Sequence, residues 1–325
     1  MVVLAESIRF IEDLVLGGFP ITKEAAASIA GHHDADIPEL FASANRIRSH
    51  FRGNIVGLCS ITNAKSGLCS EDCAFCAQSS RSRAKINTYP LLKKEQILQK
   101  AREAMQYAIK RFSIVTSGRT VSRRDLFDIA DMISAIKELG ISPCASLGIL
   151  SEEALSMLKT AGLDRYHHNV ETSARHFPEV CSSHRYEDRI MTIKAAQAVG
   201  LSVCSGGVFG LGETWQDRID MAFTLRDLDI DSVPINFLIP IQGTALGYRK
   251  LLHPIEALKI ISLYRFILPQ KEIRVCGGRT QVLGEFNTMI FFAGADGMIT
   301  GNYLTTTGRR PEDDLRLLKT LSLSM

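Results

Sequence analysis

Apolar positions along the chain alternate between two periods. Short runs rich in Val, Ile, Leu and Phe are separated by longer segments whose apolar residues recur every three to four positions, the pattern of strands alternating with amphipathic helices. The strand candidates cover 54–61, 111–116, 141–147, 163–170, 201–209, 232–239, 273–276 and 297–299. Helices over 93–109, 123–139, 152–161, 186–199, 215–228, 254–268 and 280–291 lie between them. Eight strands, each followed by a helix, predict an α/β fold, a (β/α)8 barrel of the TIM type. Gly140, Gly162 and Gly200 each stop a predicted helix directly before a strand. Ahead of the barrel, Ile8, Ile11, Leu14 and Val15 share one face of a helix over 5–17. Thr22 caps a second helix through Ala30, and a third runs from Pro38 to about Phe51. The pattern predicts an N-terminal helical extension over 1–52 and one catalytic barrel unit over 53–325, ending in a C-terminal helix.

Composition adds little to this picture but excludes several classes. The 325 residues are 46% hydrophobic and 22% charged, an ordinary globular balance. A net charge of +3 is too small and too scattered to suggest nucleic acid. Glu6, Glu12 and Asp13 argue against a signal peptide, and no apolar run is long enough to cross a membrane. Eight cysteines without an export signal predict reduced, metal-holding thiols and a cytoplasmic location.

Three of those cysteines stand together, in Cys69-Ser-Glu-Asp-Cys73-Ala-Phe-Cys76. No fourth Cys or His follows closely. A structural zinc site needs four closed ligands, so a zinc reading requires a distant partner. A four-iron cluster on three thiolates keeps one iron open for a small molecule. Further along, Cys144 and Cys204 each lie four residues after a helix-ending glycine, so both predict the same height and an inward direction. Arg274 and Cys276 share one strand face, and Cys59 lies inside the first strand. Four strands can therefore send thiols into the lumen, although a buried Cys also serves as a small hydrophobe. Cys181 falls in a loop and receives no role. Gly210-Leu-Gly212 lacks the third glycine of a dinucleotide fingerprint, and the pairs His32-His33 and His167-His168 point neighbouring rings apart.

The cysteine spacing resembles that of the radical S-adenosylmethionine (SAM) enzymes. Nearly the whole chain resembles the biotin synthase family, through residues 65–80, Tyr166-His-His-Asn-Val-Glu-Thr172, residues 203–214, Ser232-Val-Pro-Ile-Asn236 and Gly294-Ala-Asp296. The resemblance implies a sulfurtransferase that inserts sulfur into dethiobiotin to give biotin. It implies a [4Fe-4S] cluster on Cys69, Cys73 and Cys76, with SAM on the open iron, and an auxiliary iron–sulfur cluster that donates sulfide. Phe75, Val208 and Ile239 would pack on the adenine, and Thr116, Ser117 and Gly118 would meet the methionyl amine. Asn169, Glu171 and Arg189 would bind SAM, with Asn169, His167 and Asn236 reaching substrate. The residues alone leave Asn236 free to satisfy barrel backbone and Arg189 free to pair with Glu187 or Asp188. An electron donor such as flavodoxin or ferredoxin and a homodimer are also implied. The chain departs from the family pattern at the auxiliary site. Ser113 stands where a thiol is usual, whereas Cys59 and Cys276 stand where Ser is usual. The expected auxiliary set is therefore Cys59, Cys144, Cys204 and Cys276 with Arg274 adjacent, of two-iron or four-iron type. His167 and Glu171 replace a usual Asn and Asp.

Overall fold

The computed structural model describes residues 7–32 and 34–325; residues 5 and 6 of the first expected helix, and His33, lie outside the described residues. The parallel strands are β1 (Gly57–Lys65), β2 (Arg111–Thr116), β3 (Ser142–Ser146), β4 (Arg165–His167), β5 (Ser202–Cys204), β6 (Gly207–Phe209), β7 (Ser232–Phe237), β8 (Glu272–Val275) and β9 (Gly297–Ile299). Their order is β5-β4-β3-β2-β1-β9-β8-β7-β6, and a β5–β7 pairing closes the ring. β5 and β6 are two halves of one stave, so the barrel has the eight staves the pattern predicts.

The break between β5 and β6 has a steric cause. A Cβ on Gly206 would lie 2.0 Å from the Pro234 carbonyl oxygen, and one on Gly207 would lie 2.3 Å from that of Glu171. The two glycines let neighbouring backbone enter the stave, and the Ser205 amide turns to the Ser232 carbonyl instead.

Several boundaries differ from those the pattern predicts. β1 begins at Gly57 rather than Asn54, because Asn54 and Val56 hydrogen-bond Ser324 at the chain's end. It continues to Lys65 through Thr62, Asn63 and Ala64, beyond the apolar run. β4 is three residues long, and the expected strand tail 168–170 leaves the sheet to build the site. The expected helix over 280–291 is α11 (Arg279–Leu283) followed by a 3-10 turn, since Gly284 at φ +49 ends the helix.

Outside the staves lie α4 (Lys94–Met105), α5 (Arg123–Glu138), α6 (Glu152–Thr160), α8 (Tyr186–Ala198), α9 (Trp215–Asp227) and α10 (Pro254–Ile267). The N-terminal helices are α1 (Ile8–Leu16), α2 (Lys23–Gly31) and α3 (Ile37–Arg52). Thr22 caps α2 as expected, accepting the Ala25 amide. α10 is apolar nearly all round because α3 covers the face the barrel leaves open. A four-residue helix, α7 (Phe177–Val180), was not expected; it sits just before Cys181. The C-terminal helix is α12 (Pro311–Thr320).

Candidate functional site

The cysteine loop leaves the upper, C-terminal end of β1. Gly67 (φ +78) and Leu68 (φ +52) turn the chain, and the backbone then folds back on itself. The Cys69 amide donates to the Gln78 carbonyl and the Ser80 amide to the Cys69 carbonyl. The loop's acidic pair is clamped from the segment after α7. Asp72 Oδ1 accepts from the amides of Ser182 and Ser183, and Glu71 Oε2 accepts from the Ser183 hydroxyl and meets His184 Nδ1. This anchoring fixes the backbone between Cys69 and Cys73.

The loop closes one mouth of a lumen cavity of about 410 Å3. Cys69, Cys73, Phe75 and Cys76 line it from above. Thr116, Ser117 and Gly118 line it from the end of β2, and His167, Asn169, Glu171 and Arg189 from the turn after β4 and from α8. Val208, Asn236 and Ile239 line it from the β6–β7 side, and Cys59, Cys144, Cys204, Arg274 and Cys276 from the staves below. The structure thus brings every expected site residue to one cavity. Phe75 and Val208 also belong to a separate apolar cluster with Val180, Leu211, Leu238 and Leu246.

On the upper wall the polar groups hold one another. Glu171 sits at φ +69, pinned by its amide to the Gly206 carbonyl and by its carbonyl to the Val208 amide. Arg189 donates to the Asn169 carbonyl at 2.9 Å and to Glu171 Oε1 at 3.4 Å. It therefore pairs across the cavity wall and not along its own helix. Asn169 Nδ2 donates to Glu171 Oε2, and Asn169 Oδ1 accepts the Gly206 amide. Asn236 bonds barrel backbone at both ends, accepting from the Gly277 amide and donating to the Gly207 carbonyl. One Nδ2 hydrogen remains for the cavity. Ser117 donates to the Gly67 carbonyl, tying β2 to the cysteine loop. Thr116 Oγ1 and Arg189 Nε are buried without a partner.

Cys59, Cys144 and Cys204 lie in β1, β3 and β5, and Cys276, expected inside its strand, directly follows β8. Cys59, Cys144, Cys204 and Cys276 are each at most 7% exposed. The register gives Cys144 opposite Ser113 on β2, and Ser113 opposite Ile61 on β1. Cys59 is thus one stave over and one pleat below the position Ser113 occupies. His167, two residues beyond Arg165, pairs with Cys204, while Cys144 pairs with Arg165 itself. Cys144 and Cys204 therefore both face the lumen but are offset by two residues, not level, as the shear of a barrel requires. Burial raises the pKa of all four thiols, that of Cys144 to about 12. Beneath them Arg165 and Arg274 flank Glu272, with Arg165 Nη1 2.6 Å from Glu272 Oε2. Burial works against the Glu272 charge, yet Arg274 and then Arg165 hold its carboxyl well below the ordinary range. Gly57 leaves room for that carboxylate, since a Cβ there would lie 2.5 Å from Glu272 Oε1. Arg274 Nε and Arg111 Nη1 are buried without a partner.

Two features were beyond the sequence pattern. Cys181 Sγ lies 3.8 Å from Cys73 Sγ and 3.3 Å from His184 Nδ1. No local spacing joins residues so distant in the chain; only the turn after α7 does. Arg165 on the floor was also missed, because it has no cysteine two residues away to mark its strand face, as Cys276 does for Arg274. His168, beside His167, is buried against Tyr166. The Gly210 and Gly212 amides are consumed by the Glu213 carboxylate, which accounts for that glycine pair without a nucleotide.

Comparison with known proteins agrees with this geometry. Residues 65–225 match the Radical SAM superfamily and residues 234–324 the Biotin and Thiamin Synthesis associated domain. Biotin synthase of Thermodesulfovibrio yellowstonii is 53% identical over 292 residues, covering 90% of this chain and 92% of that protein. Biotin synthase of Trichlorobacter lovleyi is 47% identical over 325 residues, covering 99% and 98%. Among solved structures, methylornithine synthase superposes with a TM-score of 0.84 at 20% identity over 97% of this chain and 96% of that one. A maturase of the [FeFe]-hydrogenase gives 0.84 at 17% identity over 98% and 75%. These last two likenesses speak to the fold alone.

Proposed function

The chain belongs to the biotin synthase family of the radical SAM superfamily, and from that membership we propose how its one cavity divides the work. The family's activity is the SAM-dependent conversion of dethiobiotin to biotin by a sulfurtransferase that uses a four-iron cluster and SAM. Assigning residues to those groups is the present reading.

Cys69, Cys73 and Cys76 would hold the four-iron cluster. All eight thiols are free, and the three of the loop reach the cavity half-buried. The fit is supported by the donor set and by orphaned groups around it: Thr116 Oγ1 and Arg189 Nε lack partners that a polar ligand would supply. Bound there, the cluster and SAM supply one electron to a sulfonium and an organic radical able to remove hydrogen from unactivated carbon. The chain's own task is to hold, orient and dry. Glu171 and Asn169, fixed by Arg189 and by backbone, offer acceptors to ribose hydroxyls. Phe75, Val208 and Ile239 give the adenine an apolar seat and exclude water. The spare Asn236 hydrogen and the His167 ring face the space left for the ureido group. Burial lowers His167 to about 4, so near neutral pH its ring is uncharged.

Cys59, Cys144, Cys204 and Cys276 would hold the auxiliary cluster, with Arg274 as the adjacent cation. Four buried thiols exceed the three of the family's usual two-iron set, which favours a four-iron centre. Their raised pKa values mean that metal, rather than solvent, must displace the protons. Arg274 and Arg165 offset the negative charge that such a centre brings. One observation carries this reading: a loop set of three thiols and a stave set of four open on the same lumen. Anaerobically reconstituted protein given dithionite, SAM and dethiobiotin should release 5′-deoxyadenosine and biotin together. Abundant 5′-deoxyadenosine without biotin would overturn it.

We further propose an N-terminal extension over 1–52 on a catalytic barrel over 53–325, a homodimer in solution, a cytoplasmic location, and an external electron donor such as a flavodoxin or ferredoxin.

A further inference from the structure

The cysteine loop is reached from outside across a rim with a distinct composition. Residues 66–69 run between two neighbours. Cys69 bridges to Ser79 on one side, and Ser66 to Tyr89 on the other. The chain between, 80–88, connects these two flanks, with Thr88 against Gly67. The Arg83 amide donates to the Gly243 carbonyl, and the Leu246 amide to the Ala74 carbonyl inside the cysteine loop. Segments 81–93 and 240–252 thus frame the loop together.

Two properties set this rim apart. Leu68 is 80% exposed and Tyr248 is 78% exposed, the two most exposed large apolar side chains among the described residues. Leu68 holds φ +52, a conformation that disfavours a branched side chain, while directly preceding Cys69. The two segments carry Arg81, Arg83, Lys85, Lys93, Arg249 and Lys250 and no Asp or Glu, although the Arg249 guanidinium turns inward against Gly212. These two segments carry more net positive charge than the whole chain's +3, which acidic residues elsewhere offset. Arg81 spends its charge on Asp72; among the described residues Arg83 and Lys85 make no ion pair. Exposed apolar anchors on segments that carry unpaired cations match the pattern of a transient protein interface.

We propose that this rim docks an acidic one-electron carrier protein, which places its redox centre against the cysteine loop at Leu68. The proposal rests on the reading that each sulfonium cleavage consumes one electron at the loop cluster. That electron comes from the reduced carrier, which leaves oxidised by one electron. A second copy of this chain is the poorer occupant, since a two-fold contact would set the unpaired cations of this rim, Arg83 and Lys85 among them, against an identical set.

The test compares two reductants on R83E/K85E and on L68A. With a reduced ferredoxin of net negative charge at low ionic strength, 5′-deoxyadenosine formation by R83E/K85E should fall about tenfold, through a higher KM for the carrier. L68A should raise the same KM. With dithionite, both variants should match the unmodified protein. Added salt should slow the carrier-driven rate of the unmodified protein and leave R83E/K85E nearly flat. Unchanged carrier-driven rates in both variants, or equal losses with carrier and dithionite, would overturn the docking surface. Failure of the unmodified protein to cleave SAM with dithionite would instead remove the underlying reading of the loop.

Discussion

Glu171 is the residue whose backbone and side chain are both committed. Its left-handed φ costs on the order of 1–3 kcal/mol for a non-glycine, and neighbouring backbone at Gly206 and Val208 holds it there. Its carboxylate is shared between Arg189 and Asn169. Glu171→Gln keeps the shape and removes the charge, so SAM affinity measured by calorimetry should weaken about tenfold, roughly 1.4 kcal/mol. Unchanged affinity would take Glu171 out of the ligand site. His167 gives a pH signature. Burial holds it at about 4 when folded, against about 6.5 unfolded. Between those values the unfolded chain binds a proton that the folded chain refuses, so this stability is whole above about 6.5 and drains as pH falls toward about 4. Between about pH 7.5 and about pH 5, His167→Asn should lose about 2 kcal/mol less stability than the unmodified protein in urea titrations. Single residues were legible where their type was unusual for a strand, as with Cys144, Cys204 and Arg274. Cys181 was not, because its meaning lies in a contact with Cys73, 3.8 Å away in space and more than a hundred residues away in sequence.

At the level of the element, the apolar signal fades where the site begins. β1 was visible while its residues faced core, and its upper half, Thr62-Asn63-Ala64-Lys65, carries polar groups used for the site's own bracing. Asn63 reaches the Leu304 carbonyl and Lys65 reaches Asp125. The same logic shortens β4 and hides its tail. The split of one stave into β5 and β6 follows from two glycines whose role is closeness, which a propensity pattern does not encode. Gly206→Ala would drive a Cβ into the Pro234 carbonyl. The expected outcome is a loss of at least about 2 kcal/mol in thermal or chemical unfolding, with weaker ligand binding because Glu171 loses its pin. A variant as stable as the unmodified protein would show that the stave break is not required.

For the whole molecule, the alternation of periods was enough to reach the barrel, since eight strand–helix units leave few other ways to bury every strand. How the N-terminal helices attach was less visible, because their bonds are long-range. Asp296 shows the arrangement. It accepts from Arg265 on α10, from Arg52 at the end of α3, and from the Ile273 amide of β8. Arg265 is fully buried, so Asp296→Asn strands its charge and should cost about 3–5 kcal/mol in unfolding free energy. A loss under about 1 kcal/mol would mean that the pair adds little to the junction of extension and barrel.

The central claim is that two separate sulfur sites share one lumen, three thiols in a loop and four in the staves beneath. Iron and sulfide analysis with Mössbauer spectroscopy on two anaerobically reconstituted variants tests it most directly. C69A/C73A/C76A and C59A/C144A/C204A/C276A should each keep about half the iron of the unmodified protein, and SAM should perturb the spectrum only in the second. A stave variant with undiminished iron, or a loop variant with none, would contradict the account.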